Sequence, residues 1–360
     1  MTKVMNNFMK ETIVCLVLPN NTCGGMERVM IEIANYLSLI DNIQVHLVLY
    51  ENDNFYFIDK KVIIHLPSKK KTKRKILLLF KYFWYLRNTF KKVKPYSILS
   101  FGETYNSFCI LSNWGLGNRI FVSDRSRPDK DWGRFHNLLR KFTYKMATGI
   151  IAQTNYAATF ICNEIKKTNI FVIGNPIRTI KTENINREHV ILYVGRLIKS
   201  KRVDLLLRYF SKCQYGDWKL LIVGDGDEVE VLKEIAETLG ISKAVSFEGK
   251  QSNVDYYYNR SSIFAFTSIS EGFPNVLGEA LSAGIPCVSF DCIAGPSDLI
   301  KDGENGFLIP VEDENTFVEK LNLLISDKKL RDKMSVKAQE ISVANSNSTI
   351  CQLFKKILIE

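Results

Sequence analysis

The chain has 360 residues, 46% of them hydrophobic, and a formal net charge of +11 at pH 7. That length buries a full core and predicts about two domains. No apolar run approaches the roughly 18 residues of a membrane span, and the run at residues 13–18 is too short for a signal-peptide core, so neither a spanning segment nor export is expected.

The eight cysteines include no C-x-x-C pair. Histidine is too scarce near Cys287 and Cys292 to complete a zinc set. Reduced thiols in the cytoplasm are the expectation. Charge is uneven along the chain. Residues 1–180 hold 27 Lys and Arg against 12 Asp and Glu, and residues 60–102 hold thirteen cations and no acid. Such asymmetry predicts that one half meets an anionic surface or ligand.

In chain order, a strand over 12–18 leads through the turn Pro19-Asn20-Asn21-Thr22-Cys23-Gly24-Gly25 into a helix from Met26. Val29, Ile33, Ala34 and Leu37 share one face of that helix. Strands fit residues 44–50 and 62–66, a helix 69–94, and further strands 96–101, 119–123, 149–152 and 169–173. Residues 179–189 are polar and unpatterned and read as a linker. Beyond it, strands at 190–194, 218–223, 245–247, 263–266, 287–290 and 307–309 alternate with helical patterns. Three closing helices fit 314–326, 330–342 and 349–358. No repeat or low-complexity tract interrupts this order. The alternation predicts an α/β chain of doubly wound parallel sheets. Two such halves on a short linker predict a ligand cleft between domains.

Residues 267–286 carry the densest signal. A buried strand runs into a loop bearing Glu271. A helix then opens at Pro274, where the missing N–H costs nothing, and closes at Gly284. The free N–H groups of Gly272 and Phe273 would point where Glu271 points. A strand end, a glycine loop and a helix start together hold phosphorylated or sugar-bearing ligands in α/β proteins. Glu271 and Glu279 invite comparison with a hydrolytic pair. Eight mostly helical residues separate them by roughly 11–12 Å, beyond the ~5–9.5 Å that such a pair spans. Glu279 can instead accept hydrogen bonds from ribose hydroxyls; the plain alternative is two surface glutamates.

A second cluster is Gly195-Arg196-Leu197-Ile198-Lys199-Ser200-Lys201-Arg202, with four cations between a strand end and a helix start. Helix N-termini disfavour cations, so their concentration there points to a bound diphosphate, with Arg196 and Lys201 the better candidates. The alternative is a solvated basic turn. Gly24-Gly25 allows close backbone approach to a ligand or simply makes a sharp turn. It matches neither the G-x-G-x-x-G fingerprint nor the G-x-x-x-x-G-K-[ST] loop.

Gly195-Arg196 with Lys201, Gly224-Asp225-Gly226, Phe247-Glu248-Gly249, the Glu-x7-Glu stretch from Glu271 to Glu279, and Gly303-Glu304-Asn305-Gly306-Phe307-Leu308 occur in that order. The chain resembles the GT-B-fold retaining glycosyltransferases of family 4. The likeness is strong over the C-terminal half and looser over the N-terminal half, where Gly24-Gly25-Met26-Glu27-Arg28 carries it. Ala294-Gly295-Pro296-Ser297 resembles bacterial members that build surface polysaccharide or lipid-linked oligosaccharide, in capsule or O-antigen manner.

The resemblance implies two Rossmann-like domains facing a cleft: an acceptor domain over 1–178, a linker over 179–189, a nucleotide-sugar donor domain over 190–342, and a helix over 343–360 returning to the first domain. It implies that Arg196 and Lys201 hold the donor diphosphate, Glu279 the ribose, and Glu271 the sugar. The donor set takes in Gly25, Gly195, Gly224, Lys250, Gly272, Phe273, Pro274, Asn275 and Val276. A UDP-sugar is then the donor substrate, with no cofactor and no metal, because cations and helix ends neutralise the leaving group. Catalysis would be mostly positioning and electrostatics.

Many relatives place a histidine where this chain reads Val122-Ser123-Asp124-Arg125-Ser126. Asp124 or Arg125 is the acceptor-side candidate in its place; alternatively Arg125 meets the acceptor phosphate or an acid. No general base is assigned. A polyprenyl-diphosphate-linked glycan is the implied acceptor, reached at the cytoplasmic face of the inner membrane. The basic, aromatic stretch 69–94, which begins at Lys69 and ends at Lys94, fits peripheral membrane contact or an ordinary packed helix. It carries no nucleic-acid module. The rival readings are a nucleotide-sugar epimerase or isomerase on the same fold and a non-catalytic sugar-nucleotide-binding subunit.

Overall fold

The computed structural model describes residues 11–22, 24–68, 75–181 and 187–360. They form two compact units. The first runs to Gln153, takes in Ala157–Gly174 and ends with Ile350–Glu360; the second holds Thr154–Tyr156 and Asn175–Thr349.

The first unit is built from β1 (Thr12–Leu18), α1 (Gly25–Ser38), β2 (Ile43–Leu49), β3 (Ile63–His65), α2 (Lys75–Val93), β4 (Ser97–Phe101), α3 (Glu103–Asn113), β5 (Arg119–Ser123), α4 (Arg134–Thr143), β6 (Gly149–Ala152), α5 (Asn155–Ile165) and β7 (Ile170–Val172). Its sheet runs β3-β2-β1-β4-β5-β6-β7. Every neighbouring pair is parallel. All of β4 and β6 is buried, as a parallel sheet covered on both faces requires.

The second unit continues with β8 (Val190–Val194), α6 (Val203–Lys212), β9 (Lys219–Val223), α7 (Val229–Thr238), β10 (Val245–Gly249), α8 (Val254–Arg260), β11 (Ile263–Phe266), α9 (Asn275–Ser282), β12 (Cys287–Phe290), α10 (Pro296–Leu299), β13 (Gly306–Ile309), α11 (Glu314–Ser326) and α12 (Lys328–Ala344). Its parallel sheet runs β10-β9-β8-β11-β12-β13. Two doubly wound α/β units are the expected architecture. The last helix, α13 (Asn347–Ile359), returns to the first unit, where Phe354 packs 6.1 Å from Phe101 between ring centroids.

Three helices of the first unit have no counterpart in the sequence reading. In α3 the buried side includes Asn106, Ser107, Ser112 and Asn113, so polar residues break the apolar period. Asn106 and Ser107 are satisfied from outside the helix. Asn106 donates to the Tyr144 hydroxyl at 2.9 Å and to the Ser123 carbonyl at 3.1 Å, and Thr143 donates to Ser107 at 3.0 Å.

His46 of β2 lies 2.8 Å, nitrogen to nitrogen, from His65 of β3, with the rings stacked. Burial, then the neighbouring His65, pushes His46 down to about 4. Burial, then Lys92, lowers His65. Because the folded value of His46 lies below the ordinary value near 6.5, its stabilising contribution is complete above about pH 6.5 and is lost as pH falls toward 4. The melting temperature should therefore fall across that window, and His46→Val should flatten the fall. A slope unchanged in the variant would remove His46 as its source.

Candidate active site

In the second sheet the strand order reverses between β8 and β11. Loops leaving these two strands turn to opposite sides and open a crevice at their carboxyl ends, the place where open α/β sheets bind ligands. Here the crevice is floored by hydrogen bonds. The Ile269 N–H donates to the Ser200 carbonyl at 3.0 Å, the Thr267 hydroxyl to the Lys201 carbonyl at 3.1 Å, and the Ser268 hydroxyl to the Ser200 carbonyl at 3.4 Å.

Lys201 and Glu271 meet across this seam as an ion pair, with side chains 17% and 12% exposed. Sequence reading places Lys201 in the first turn of a helix; it instead ends a short 3-10 turn. Arg202 then takes a left-handed conformation (φ 49°) and α6 starts at Val203. Arg202 is pinned there by Asp204, at 3.0 Å, and by Glu312. Arg196 is exposed, and the Tyr193 hydroxyl donates to its carbonyl at 3.2 Å. Burial pushes Tyr193 up, the Glu271 carboxylate adds to this, and Arg196 opposes it. Cys292 is pushed up to about 12 by burial first, then by Glu271 against the pull of Lys201. Both groups stay neutral beside the pair.

The neighbouring loops are laced to the same place. Gly195 donates its N–H to Val223 at 3.0 Å and Gly224 to Gly249 at 2.9 Å, which sets exposed Lys250 at the end of β10. A Cβ on Gly224 would lie 1.8 Å from the Gly195 carbonyl oxygen, and one on Gly226 would lie 2.3 Å from that of Leu197. This glycine pair lets two strand-end loops touch backbone to backbone.

After β11, Gly272 is partly exposed while Phe273 and Pro274 are buried. Pro274 sits just before α9 rather than inside it. Asn275 accepts from Asn175 at 3.0 Å, and the Val276 carbonyl accepts from Tyr258 at 3.3 Å. Glu279, 14% exposed, lies 3.8 Å from Arg178 and accepts from the Tyr258 hydroxyl at 3.2 Å. Burial, then Glu279, raises Tyr258. Arg178 also pairs with Asp255. Arg178 and Tyr258 escape sequence reading: one lies beside the expected linker, the other in a stretch that reads only as helical.

The remaining candidates belong to the first unit. Gly25 is the first residue of α1. Asp124, buried at the end of β5, accepts from Arg140 at 2.6 Å and from Tyr144 at 2.5 Å. The Arg125 guanidinium lies 3.7 Å from the Phe101 ring centroid, and the Arg125 backbone N–H donates to the Glu103 carboxylate at 2.8 Å. Among the described residues no group of three or more His, Cys, Asp and Glu is placed to hold a metal.

Residues 177–341 match the family described as glycosyl transferases group 1, and residues 23–181 match Glycosyltransferase Family 4. The chain belongs to glycosyltransferase family 4. It is similar to the amylovoran biosynthesis glycosyltransferase AmsD of Erwinia amylovora, at 27% identity over 93% of this chain and 96% of that one. It is similar to an alpha-1,4-N-acetyl-D-galactosaminyltransferase of Campylobacter jejuni, named for a diNAcBac-PP-undecaprenol glycan, at 25% identity over 91% and 92%. Among solved structures, Anabaena HepE in complex with UDP superposes with a TM-score of 0.80 at 18% identity, over 96% of this chain and 99% of that one. The fold of this family 4 glycosyltransferase is GT-B.

Gly224→Ala should destabilise the second unit by about 2 kcal/mol or more, since its Cβ would strike backbone and its φ of +142° is unfavourable for alanine. Thermal melting checks this, and a melting temperature equal to that of the parent protein would contradict the loop packing.

Proposed function

We propose that the chain is a retaining, metal-independent transferase that moves a hexose or N-acetylhexosamine from a UDP-sugar onto a lipid-linked or growing surface polysaccharide at the cytoplasmic face of a membrane. The observation that carries this reading is the Lys201–Glu271 pair across the switch point, with exposed Arg196 on the adjoining loop. A diphosphate entering the crevice meets two cations, and both oppose the charge that grows as the nucleotide leaves. Glu271 holds the Lys201 ammonium at the crevice and faces the donor sugar. Glu279, oriented by Tyr258 and Arg178, accepts from the ribose hydroxyls. The remaining donor contacts fall to Gly25, Gly195, Gly224, Lys250 and the residues from Gly272 to Val276.

Relatives support the substrate class. The Erwinia protein is named for amylovoran biosynthesis and the Campylobacter protein for a glycan on diNAcBac-PP-undecaprenol. Asp124 and Arg125 are the acceptor-side residues of this reading.

Arg196 is exposed and makes no side-chain ion pair among the described residues, so its removal should leave stability unchanged and makes the cleaner test. Arg196→Ala should lower donor turnover at least ~100-fold with an unchanged melting temperature. Lys201→Ala should cost as much activity and, by leaving Glu271 without its partner, some stability as well. The assay is UDP release and product mass from a UDP-sugar panel with undecaprenyl-diphosphate-linked acceptors; the product anomer should keep the donor's configuration. Near-normal turnover in Arg196→Ala would remove the diphosphate assignment, and an inverted anomer would remove the retaining one.

A further inference from the structure

The helical layer over the first sheet carries an apolar stripe that faces outward. Phe135, Leu138 and Phe142 of α4 recur at i, i+3 and i+7, which places them on one side of the helix. They are 67%, 58% and 65% exposed, and Met146 just beyond is 45% exposed. Thr143 is the one residue of α4 that is buried. α6 has comparable amphipathic character, but its stripe of Val203, Leu206, Leu207 and Phe210 is buried in the core. Amphipathic helices of globular proteins normally turn that side inward. α4 is held the other way round. Its Arg140 pairs at 2.6 Å with the buried carboxylate of Asp124, and Thr143 donates to Ser107 of α3 at 3.0 Å. Rolling the stripe inward would break a buried ion pair, which is costly.

The charges beside the stripe identify what covers it. Arg134, Lys141 and Lys145 are exposed along one flank, and α4 contains no acid. Glu164 lies 3.5 Å from Lys141. In a symmetric contact with a second copy, this flank would meet its own like charges. An anionic lipid surface instead offers phosphates to the cations and a hydrocarbon boundary to the rings, the pattern of helices that lie in a membrane interface. The same layer continues the theme: α2 packs on α3 and α3 on α4, and Phe80 and Trp84 of α2 are 62% and 55% exposed. Residues 69–74, the lysine-rich start of the stretch expected to touch a membrane, lie outside the described residues.

We propose that α4 is a membrane-contact helix: Phe135, Leu138 and Phe142 enter the headgroup–acyl boundary of an anionic bilayer, and Arg134, Lys141 and Lys145 sit on its phosphates. This deepens the transferase reading, which places the chain at a membrane face, and its test uses neither donor nor acceptor, so that either can fail alone. The full chain is sedimented with vesicles of phosphatidylglycerol and phosphatidylcholine, and with phosphatidylcholine alone. Binding to the anionic vesicles is expected, weakening as salt screens the charges. The variant Phe135→Ser/Leu138→Ser/Phe142→Ser should bind at least ~10-fold more weakly at an unchanged melting temperature, since exposed side chains are being replaced. Arg134→Glu/Lys145→Glu should lose the preference for anionic lipid. Phe142→Trp, a conservative change, gives a second readout: its added emission should be quenched by brominated lipid. Three results would overturn the proposal: a parent protein that ignores anionic vesicles, a serine variant that binds them equally well, or a parent dimer that the serine variant converts to monomer.

Discussion

The second unit depends on the seam between the loops after β8 and β11. Parallel strands leave their carboxyl ends open at the point where the winding reverses, and nothing in the sheet itself fixes how far the two loops stand apart. Here a backbone hydrogen bond and two hydroxyls of residues 267–269 tie them at Ser200 and Lys201. Lys201 and Glu271 then meet with both side chains mostly buried. A half-buried pair of this kind is worth little as a source of net stability, but it is costly to break from one side. Its effect is positional: the ammonium cannot wander on its four-carbon stem, and a cation and a carboxylate stay fixed side by side at the switch point.

The strands were legible because both faces of each sheet are covered, so that six strands, residues 12–18, 119–123, 149–152, 190–194, 263–266 and 287–290, read as largely apolar runs with the bounds the structure gives them. Helices were legible where their apolar side faces a core, as in α6 and α11. Two were missed where that rule fails, and α5 was missed although its Ala157, Ile161 and Ile165 are buried. α3 buries Asn and Ser in a hydrogen-bonded network, and α4 buries almost nothing. Periodicity reports burial, and a helix that buries polar groups or exposes apolar ones is silent or misleading in it.

Of the site, the residue types were legible and their partners were not. A run of four cations after a strand announces an anion, yet sequence alone does not say that Arg202 is spent on Asp204 and Glu312 or that a left-handed residue delays the helix past Lys201. The Glu-x7-Glu spacing marks two carboxylates on one stretch. What orients Glu279 comes from 101 and 21 residues away in sequence, at Arg178 and Tyr258, and no local pattern reports contacts of that range.

The carboxyl edge of the first sheet shows what a different use of charge looks like. Glu103 accepts from the Arg125 and Ser126 N–H groups at 2.8 and 2.6 Å and from the Ser126 hydroxyl at 2.5 Å, so one carboxylate holds the turn after β5. Asp124 is enclosed by Arg140 and Tyr144, and burial, then Asp124, keeps Tyr144 neutral. The Arg125 guanidinium lies over Phe101 and, at 5.7 Å, near Phe354 of α13, a cation–π arrangement that favours the returned helix at this edge. Charge here builds a rigid scaffold. In the second unit, by contrast, Arg196 stands exposed beside a fixed pair. The two edges share one topology and differ in how fully their charges are consumed, which is why the anion site proposed above is assigned to the second.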